Sequence, residues 1–194
     1  MDNKKVSIVF HSVCGNNFLI AKEFCKEFKD NGADVQILRV QDPNLEEIAK
    51  QFTIAGQYKN EMMKIEEANP EKLLDSDIII IGSPTYYGNV SGAMKSFMDS
   101  FSPYWVDARF WGKKLFAYST CTNGEGGGDI CLNAINVFGH HMGMLPVPVP
   151  SNLLSVQSFP AYGLLHYVGE YSNMRPTGNI ILAIKAMTER LLEL

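Results

Sequence analysis

The run Ile78-Ile79-Ile80-Ile81, opening at Asp77 and breaking into Gly82-Ser-Pro-Thr-Tyr-Tyr-Gly-Asn89, constrains this chain more than any other stretch. Four β-branched side chains in a row are stiff at χ1 and show no polar alternation. They read as a strand buried on both faces, the central strand of a parallel sheet. Such a strand needs covering helices, and the next one is legible: Met94, Phe97, Met98 and Phe101 recur at i, i+3, i+4, i+7 and form one apolar stripe. Strand, loop and helix make a βα unit whose loop lies at the carboxyl edge of the sheet, where open α/β folds bind ligands. The loop suits a flat ring. Pro84 restricts the backbone, while Gly88, Tyr86 and Tyr87 let main-chain N–H groups approach a planar heterocycle beside aromatic walls.

The same alternation runs through the rest of the chain. Val6 to Phe10 is a short strand entering His-Ser-Val-Cys-Gly-Asn-Asn17, and Phe18, Ala21, Phe24, Cys25 and Phe28 keep helical spacing until Asn31-Gly32. Val35 to Val40 is a second strand, and Asp42-Pro43 opens a short helix through Leu45, Ile48, Ala49 and Phe52. Ala55 to Asn69 reads as an irregular, partly helical connection. After the central unit, Lys114 to Thr120 is a fourth strand, followed by a glycine-rich loop and a helix with Ile130, Ala134, Val137 and Phe138 on its apolar face, ending near His140-His141. Met144 to Val149 reads as a proline-laced edge strand. Residues 150 to 175 lack periodicity, and Ile180, Ile184, Met187 and Leu191 mark a final helix.

Five strands alternating with helices specify a single doubly wound parallel sheet with helices on both faces. The flavodoxin-like order 2-1-3-4-5 fits five strands better than a six-stranded dinucleotide fold. In that order the loops after strands one, three and four are neighbours, so Ser12 to Asn17, Ser83 to Asn89 and Thr120 to Gly128 converge on one site.

At 194 residues, one domain is the expectation. A net charge of -4 with 17 dispersed lysines and arginines leaves no basic patch for nucleic acid. No apolar run is long enough to cross a bilayer, and the polar Met1 to Lys5 followed by a strand-length apolar run is not a signal peptide, so a cytoplasmic protein without membrane partners is expected. Cys14, Cys25, Cys121 and Cys131 contain no C-x-x-C pair, which fits neither a zinc nor an iron-sulfur ligand set. No metal is expected.

The first loop offers hydroxyl, amide and backbone donors at a helix start and no lysine, an anion site of neutral donors suited to a terminal monophosphate. Neither G-x-x-x-x-G-K-[ST] nor G-x-G-x-x-G is present. The second loop has the chemistry for a ring, and the glycines of the third let main-chain donors reach the ring edge. Trp105 is a candidate for stacking on an aromatic substrate, and His140 and His141 for binding a substrate or capping a helix end.

Ser12-x-x-Gly15-Asn16, the stretch Gly82 to Asp99, Trp111-Gly-Lys113, the Gly126-Gly-Gly128 turn and His140-His141 before Gly143-Met144 together resemble the flavodoxin-like NAD(P)H:quinone oxidoreductases of the WrbA type, within the wider NADPH-dependent FMN reductases. The resemblance runs in order from about residue 5 to about residue 150, and the second loop is its specific part. It implies FMN held by Ser12, Cys14, Gly15, Asn16 and Asn17 at the phosphate, by Pro84, Thr85, Tyr86, Tyr87, Gly88 and Asn89 at the ring, and by Thr120, Thr122, Asn123, Gly124 and Gly126 in the third loop. It also implies NAD(P)H as donor, quinone acceptors, for which Trp105, His140 and His141 are the candidate contacts read from the residues, and a homotetramer. Cys14 departs from the pattern: carrier flavodoxins have a hydroxyl residue there and the quinone reductases an aromatic one. The histidine pair also sits one residue further from Gly-Met than in that family.

Two redox function classes follow, and the three converging loops argue against a third, a flavodoxin-like domain that binds a partner without cofactor. One is an enzyme in which the flavin supplies the reactivity and passes two electrons from NAD(P)H to an acceptor by a ping-pong route. The other is a flavodoxin-type carrier that binds FMN without NAD(P)H activity. The absence of a carboxylate from Ser83 to Asn89 and the aromatic segment from Pro150 to Tyr171 favour the enzyme, and that apolar segment also predicts a homo-oligomer.

Overall fold

The computed structural model describes residues 3–194. Its strands are β1 (Lys5–Phe10), β2 (Asp34–Arg39), β3 (Ile78–Pro84), β4 (Lys114–Cys121), β5 (Leu145–Pro146) and β6 (Leu164–Tyr167). Its α-helices are α1 (Asn16–Asp30), α2 (Leu45–Gln51), α3 (Thr53–Gly56), α4 (Lys59–Met62), α5 (Gly92–Asp99), α6 (Gly128–His141) and α7 (Asn179–Glu193). The sheet is parallel in the order β2-β1-β3-β4-β5, the flavodoxin-like order expected.

The isoleucine run is the axis of the molecule. Ile78 to Ile81 are each 0% exposed, and strand alternation sends them to opposite sides. Ile78 and Ile80 join Ile8, Phe24, Phe116, Tyr118, Ile184 and Met187 under α1 and α7. Ile79 and Ile81 join Val9, Met94, Phe101, Leu115, Leu132 and Ile135 under α5 and α6. Each fully buried isoleucine contributes about 1.5 to 3 kcal/mol over an exposed one, so this strand alone commits the chain to a three-layer sandwich.

Three expectations are corrected. The edge strand is split: β5 pairs Leu145 and Pro146 with Lys114 and Leu115, and β6 pairs Leu164 to Tyr167 with Tyr118 to Cys121. The prolines at 146, 148 and 150 carry no N–H for a continuous ladder, so the chain leaves the sheet and the later segment completes it. Much of the apolar content of 150–171 is therefore used internally, with Leu153, Leu164 and Leu165 buried and mainly tyrosines left exposed. Second, the inward face of α6 is rotated from the one expected: Ala134 and Phe138 do pack against the core, but Cys131, Leu132, Ile135 and Gly139 are its buried centre while Ile130 and Val137 are exposed. Gly139 lets α6 lie close to the sheet, since a Cβ there would stand 2.3 Å from Leu115 Cδ2 and a larger residue would require that side chain to shift. Third, Phe52 ends α2 exposed rather than in its apolar face. Among the described residues no helix is long and apolar enough to cross a membrane.

Candidate functional site

The loops after β1, β3 and β4 meet at the carboxyl edge of the sheet, around a cleft lined by Ser12, Cys14, Asn16, Asn17, Pro84, Thr85, Tyr86, Thr120 and Thr122. In the first loop Ser12 Oγ accepts from the Gly15 amide at 3.1 Å, drawing the chain into a tight turn. Gly15 sits at φ 90° as the residue before α1, with no side-chain cap and no acidic residue in the first turn of the helix. The orphan amides and positive end of α1 thus face the cleft without an internal anion. Asn17 is buried; its Nδ2 donates to His11 O at 3.0 Å, while its Oδ1 has no partner. Tyr118 reaches across from β4, its hydroxyl donating to Asn17 O at 2.9 Å. Gly82 makes that crossing possible: a Cβ there would lie 1.9 Å from Tyr118 Cζ.

The second loop is a two-residue hairpin. Tyr86 and Asn89 exchange backbone hydrogen bonds of 2.8 and 3.0 Å, and the central Tyr87 and Gly88 have φ of 53° and 72°, as in a type I′ turn. A positive φ is strained for a bulky residue, and Tyr87 projects fully into solvent at the tip. The base of the loop is held firmly. Ser119 Oγ donates to Ser83 O at 2.8 Å and accepts from Thr85 Oγ1 at 2.9 Å, while the Thr85 amide donates to Thr120 O at 2.8 Å. In the third loop Asn123 Oδ1 accepts from the Glu125 amide at 3.1 Å, and Asn123, Gly124 and Gly126 are exposed. A Cβ on Gly127 would stand 2.9 Å from Gly88 Cα, so these two glycines are where the second and third loops touch.

Trp105, His140 and His141 are not brought to this cleft within one chain. α5 and α6 both start at the carboxyl edge and run back, so the connection holding Trp105 and the end of α6 holding the histidines lie at the opposite edge. The Gly112 amide donates to Gly143 O at 2.9 Å, joining those two turns to each other. All three side chains are exposed.

The sequence reading missed a strap, residues 168–178, that leaves β6, crosses the first loop and enters α7. Val168 and Ser172 line the cleft. Asn16 Nδ2 donates to Ser172 O at 2.8 Å, and Arg175 Nη1 donates to Cys14 O at 2.7 Å and to Asn16 Oδ1 at 3.1 Å. The first loop therefore has a cation beside it, contrary to the expected set of neutral donors. Nothing local announces this contact across 161 positions; only the β6–β4 pairing brings the segment there.

Burial raises the Cys14 thiol above its ordinary value, partly offset by Ser172 and Arg175, and pushes the Cys121 thiol up to about 11. Both stay protonated at neutral pH and serve as cleft walls rather than nucleophiles. Behind Tyr86, His11 Nε2 meets Asp42 Oδ2 at 3.0 Å, and that hydrogen bond holds the Asp42 carboxyl below its usual range. Burial, with Cys14 and Asp42 nearby, raises the Tyr86 phenol.

A flavodoxin-like sheet with three loops converging on a cleft at its carboxyl edge defines the class. The fold is that of a flavodoxin, WrbA-like protein from Agrobacterium tumefaciens (TM-score 0.69, 15% identity, 98% of this chain and 96% of that one) and of a flavodoxin from an archaeon (TM-score 0.62, 18% identity, 97% and 96%). Residues 8–157 match the model of the NADPH-dependent FMN reductases, and the chain belongs to that family of oxidoreductases. It is 30% identical over 157 residues to an NAD(P)H dehydrogenase (quinone) of Archaeoglobus fulgidus, covering 80% of this chain and 82% of that protein. It is also 30% identical over 149 residues to one of Deinococcus radiodurans, covering 74% and 72%.

Proposed function

We propose that the chain, acting as one flavodoxin-like domain, binds FMN in this cleft and passes two electrons from NAD(P)H to a quinone or similar small acceptor. The observation that carries the reading is the first loop, where an uncapped helix N-terminus with free amides and the Ser12 hydroxyl form an anion-binding turn at the end of the cleft. Its family membership and its similarity to proteins named NAD(P)H dehydrogenase (quinone) support the same reading. Ser12 and the Cys14 to Asn17 turn would hold the phosphate, Pro84 to Asn89 the ring, and Thr120 to Gly126 its remaining edge. When bound, the flavin supplies hydride acceptance and electron delivery, chemistry no side chain of the cleft can perform.

The protein's part is to position and to exclude. The Ser83–Thr85–Ser119 network fixes the second loop as a rigid wall, and the Gly88–Gly127 contact closes the edge between loops two and three. No carboxylate lies in Ser83 to Asn89, so the wall offers donors rather than repulsion to charge developing on a ring. With a single open ring face for both planar substrates, the nicotinamide and the quinone would take turns at it. NAD(P)H gives up a hydride, and the acceptor gains that electron pair and two protons, one of them from solvent. Varying NADH or NADPH against a soluble benzoquinone should give parallel double-reciprocal lines. Converging lines would end the ping-pong mechanism, and absence of turnover would return the protein to the carrier class.

A cytoplasmic setting belongs to this reading, and so does a homo-oligomer. Exposed Trp105, Val106, Trp111, Ile130 and Val137 give apolar surface to bury, and only a second copy could bring Trp105, His140 or His141 to a cleft. A monomer mass by light scattering at micromolar concentration would remove that part.

A further inference from the structure

Arg175 is placed against electrostatic expectation. Cations favour helix C-termini, yet this guanidinium packs beside the N-terminal turn of α1, whose unpaired amides are already a positive pole. Its three acceptors, Cys14 O, Asn16 Oδ1 and Gln57 Oε1, are all neutral, so no hydrogen-bonded acid offsets its charge. Its position is nonetheless well determined, with the guanidinium carbon 5.0 Å over the Tyr58 ring. Both ends of the Asn16 amide are taken by the strap, Nδ2 by Ser172 O and Oδ1 by Arg175. Two positive features held face to face are unfavourable in isolation and favourable with an anion beside them.

We propose that Arg175 is a specificity residue for the phosphorylated end of the flavin, its charge favouring FMN over riboflavin at the first loop. The inference rests on the reading of the cleft as a flavin site and adds to it a residue and a discrimination. Arg175 acts in two ways. It fixes Cys14 O and Asn16 in the turn before α1, and it adds a full positive charge on the flank of the loop that would hold a phosphate dianion. An anchor of the phosphate loop and a charge beside it both act on FMN alone, and they part in Gln57→Glu, which keeps the bonds to Cys14 O and Asn16 and offsets the charge.

The test titrates protein stripped of flavin with FMN and with riboflavin, following quenching of flavin fluorescence at low and high salt. Arg175→Gln keeps hydrogen-bond donors and loses the charge. It should weaken FMN binding roughly tenfold to a hundredfold, as for a lost charge-assisted contact, with riboflavin affinity kept within about twofold. Gln57→Glu leaves the first loop untouched and places a carboxylate on Arg175 from an exposed position; it should weaken FMN several-fold and spare riboflavin. For the parent, added salt should narrow the gap between the two flavins. Equal losses for both flavins in Arg175→Gln, or unchanged FMN affinity in Gln57→Glu, would overturn the proposal while leaving the FMN site standing. If Arg175→Gln fails to fold, Gln57→Glu with FMN affinity equal to the parent's overturns it alone. A parent that binds neither flavin would overturn this inference and the cofactor reading together.

Discussion

Replacing Gly15 by alanine tests whether the first loop is built as described. Two separate costs follow from its geometry. At φ 90° an L-residue pays for a left-handed backbone, about 1 to 2 kcal/mol. The added Cβ would also lie 2.2 Å from Tyr58 Cδ2, 2.8 Å from Cγ and 3.1 Å from Cβ. Those atoms are the root of the side chain, so Tyr58 must move as a whole rather than swing its tip, and it is wedged against Phe18 and Arg175 with centroid distances of 6.2 and 5.0 Å. Overpacking of that kind costs about 1 to 3 kcal/mol. Gly15→Ala should therefore lose about 2 to 5 kcal/mol in urea unfolding, with weakened flavin binding. In a Tyr58→Ala background the steric part disappears, and adding Gly15→Ala should cost only the backbone part, about 1 to 2 kcal/mol. A single mutant within about 0.5 kcal/mol of the parent, or a cycle with no coupling between the two positions, would refute the packing argument.

Other consequences are simpler. Ser12→Ala removes the hydroxyl that turns the first loop, and FMN affinity should fall by about 1.5 to 3 kcal/mol, readable by fluorescence titration. Tyr118→Phe leaves the buried Asn17 carbonyl without its 2.9 Å donor and should cost about 1 to 3 kcal/mol of unfolding free energy. Asp42→Asn should destabilise by a similar amount at neutral pH. The Asp42 carboxyl titrates below its unfolded value of about 3.9, so its stabilisation is complete above that pH and is lost as pH falls through the folded value. The gap between parent and variant should accordingly shrink in urea melts near pH 3, and a gap independent of pH would contradict the His11–Asp42 pairing.

How far the sequence reached can be seen from particular residues. Ile78 to Ile81 and the stripe Met94, Phe97, Met98, Phe101 carry unambiguous periods, and with two more βα units they were enough for the strand order and for which loops meet. Within those loops Ser12, Asn17, Pro84, Thr85 and Thr120 fall at the cleft because each follows a strand end whose position topology dictates. The misses share a cause. β6 and the strap have no period of their own and gain their structure from tertiary pairing with β4 and the first loop. The inward face of α6 includes Gly128 and Gly139, which carry no hydrophobic signal. Trp105 and His140–His141 are eye-catching residue types, but helices that run antiparallel to the strands carry them to the far edge of the sheet.

The central claim is that bound FMN in this cleft exchanges electrons with reduced nicotinamide and a quinone. It is tested most directly by reconstituting the protein with FMN and mixing it anaerobically with NADH or NADPH while watching the visible band of the oxidised flavin. The account predicts rapid bleaching with at least one nucleotide and recovery of the band on adding about one equivalent of benzoquinone, since one hydride carries the two electrons a quinone takes. A yellow protein whose band is unmoved by both nucleotides, or a protein that retains no flavin, would contradict it.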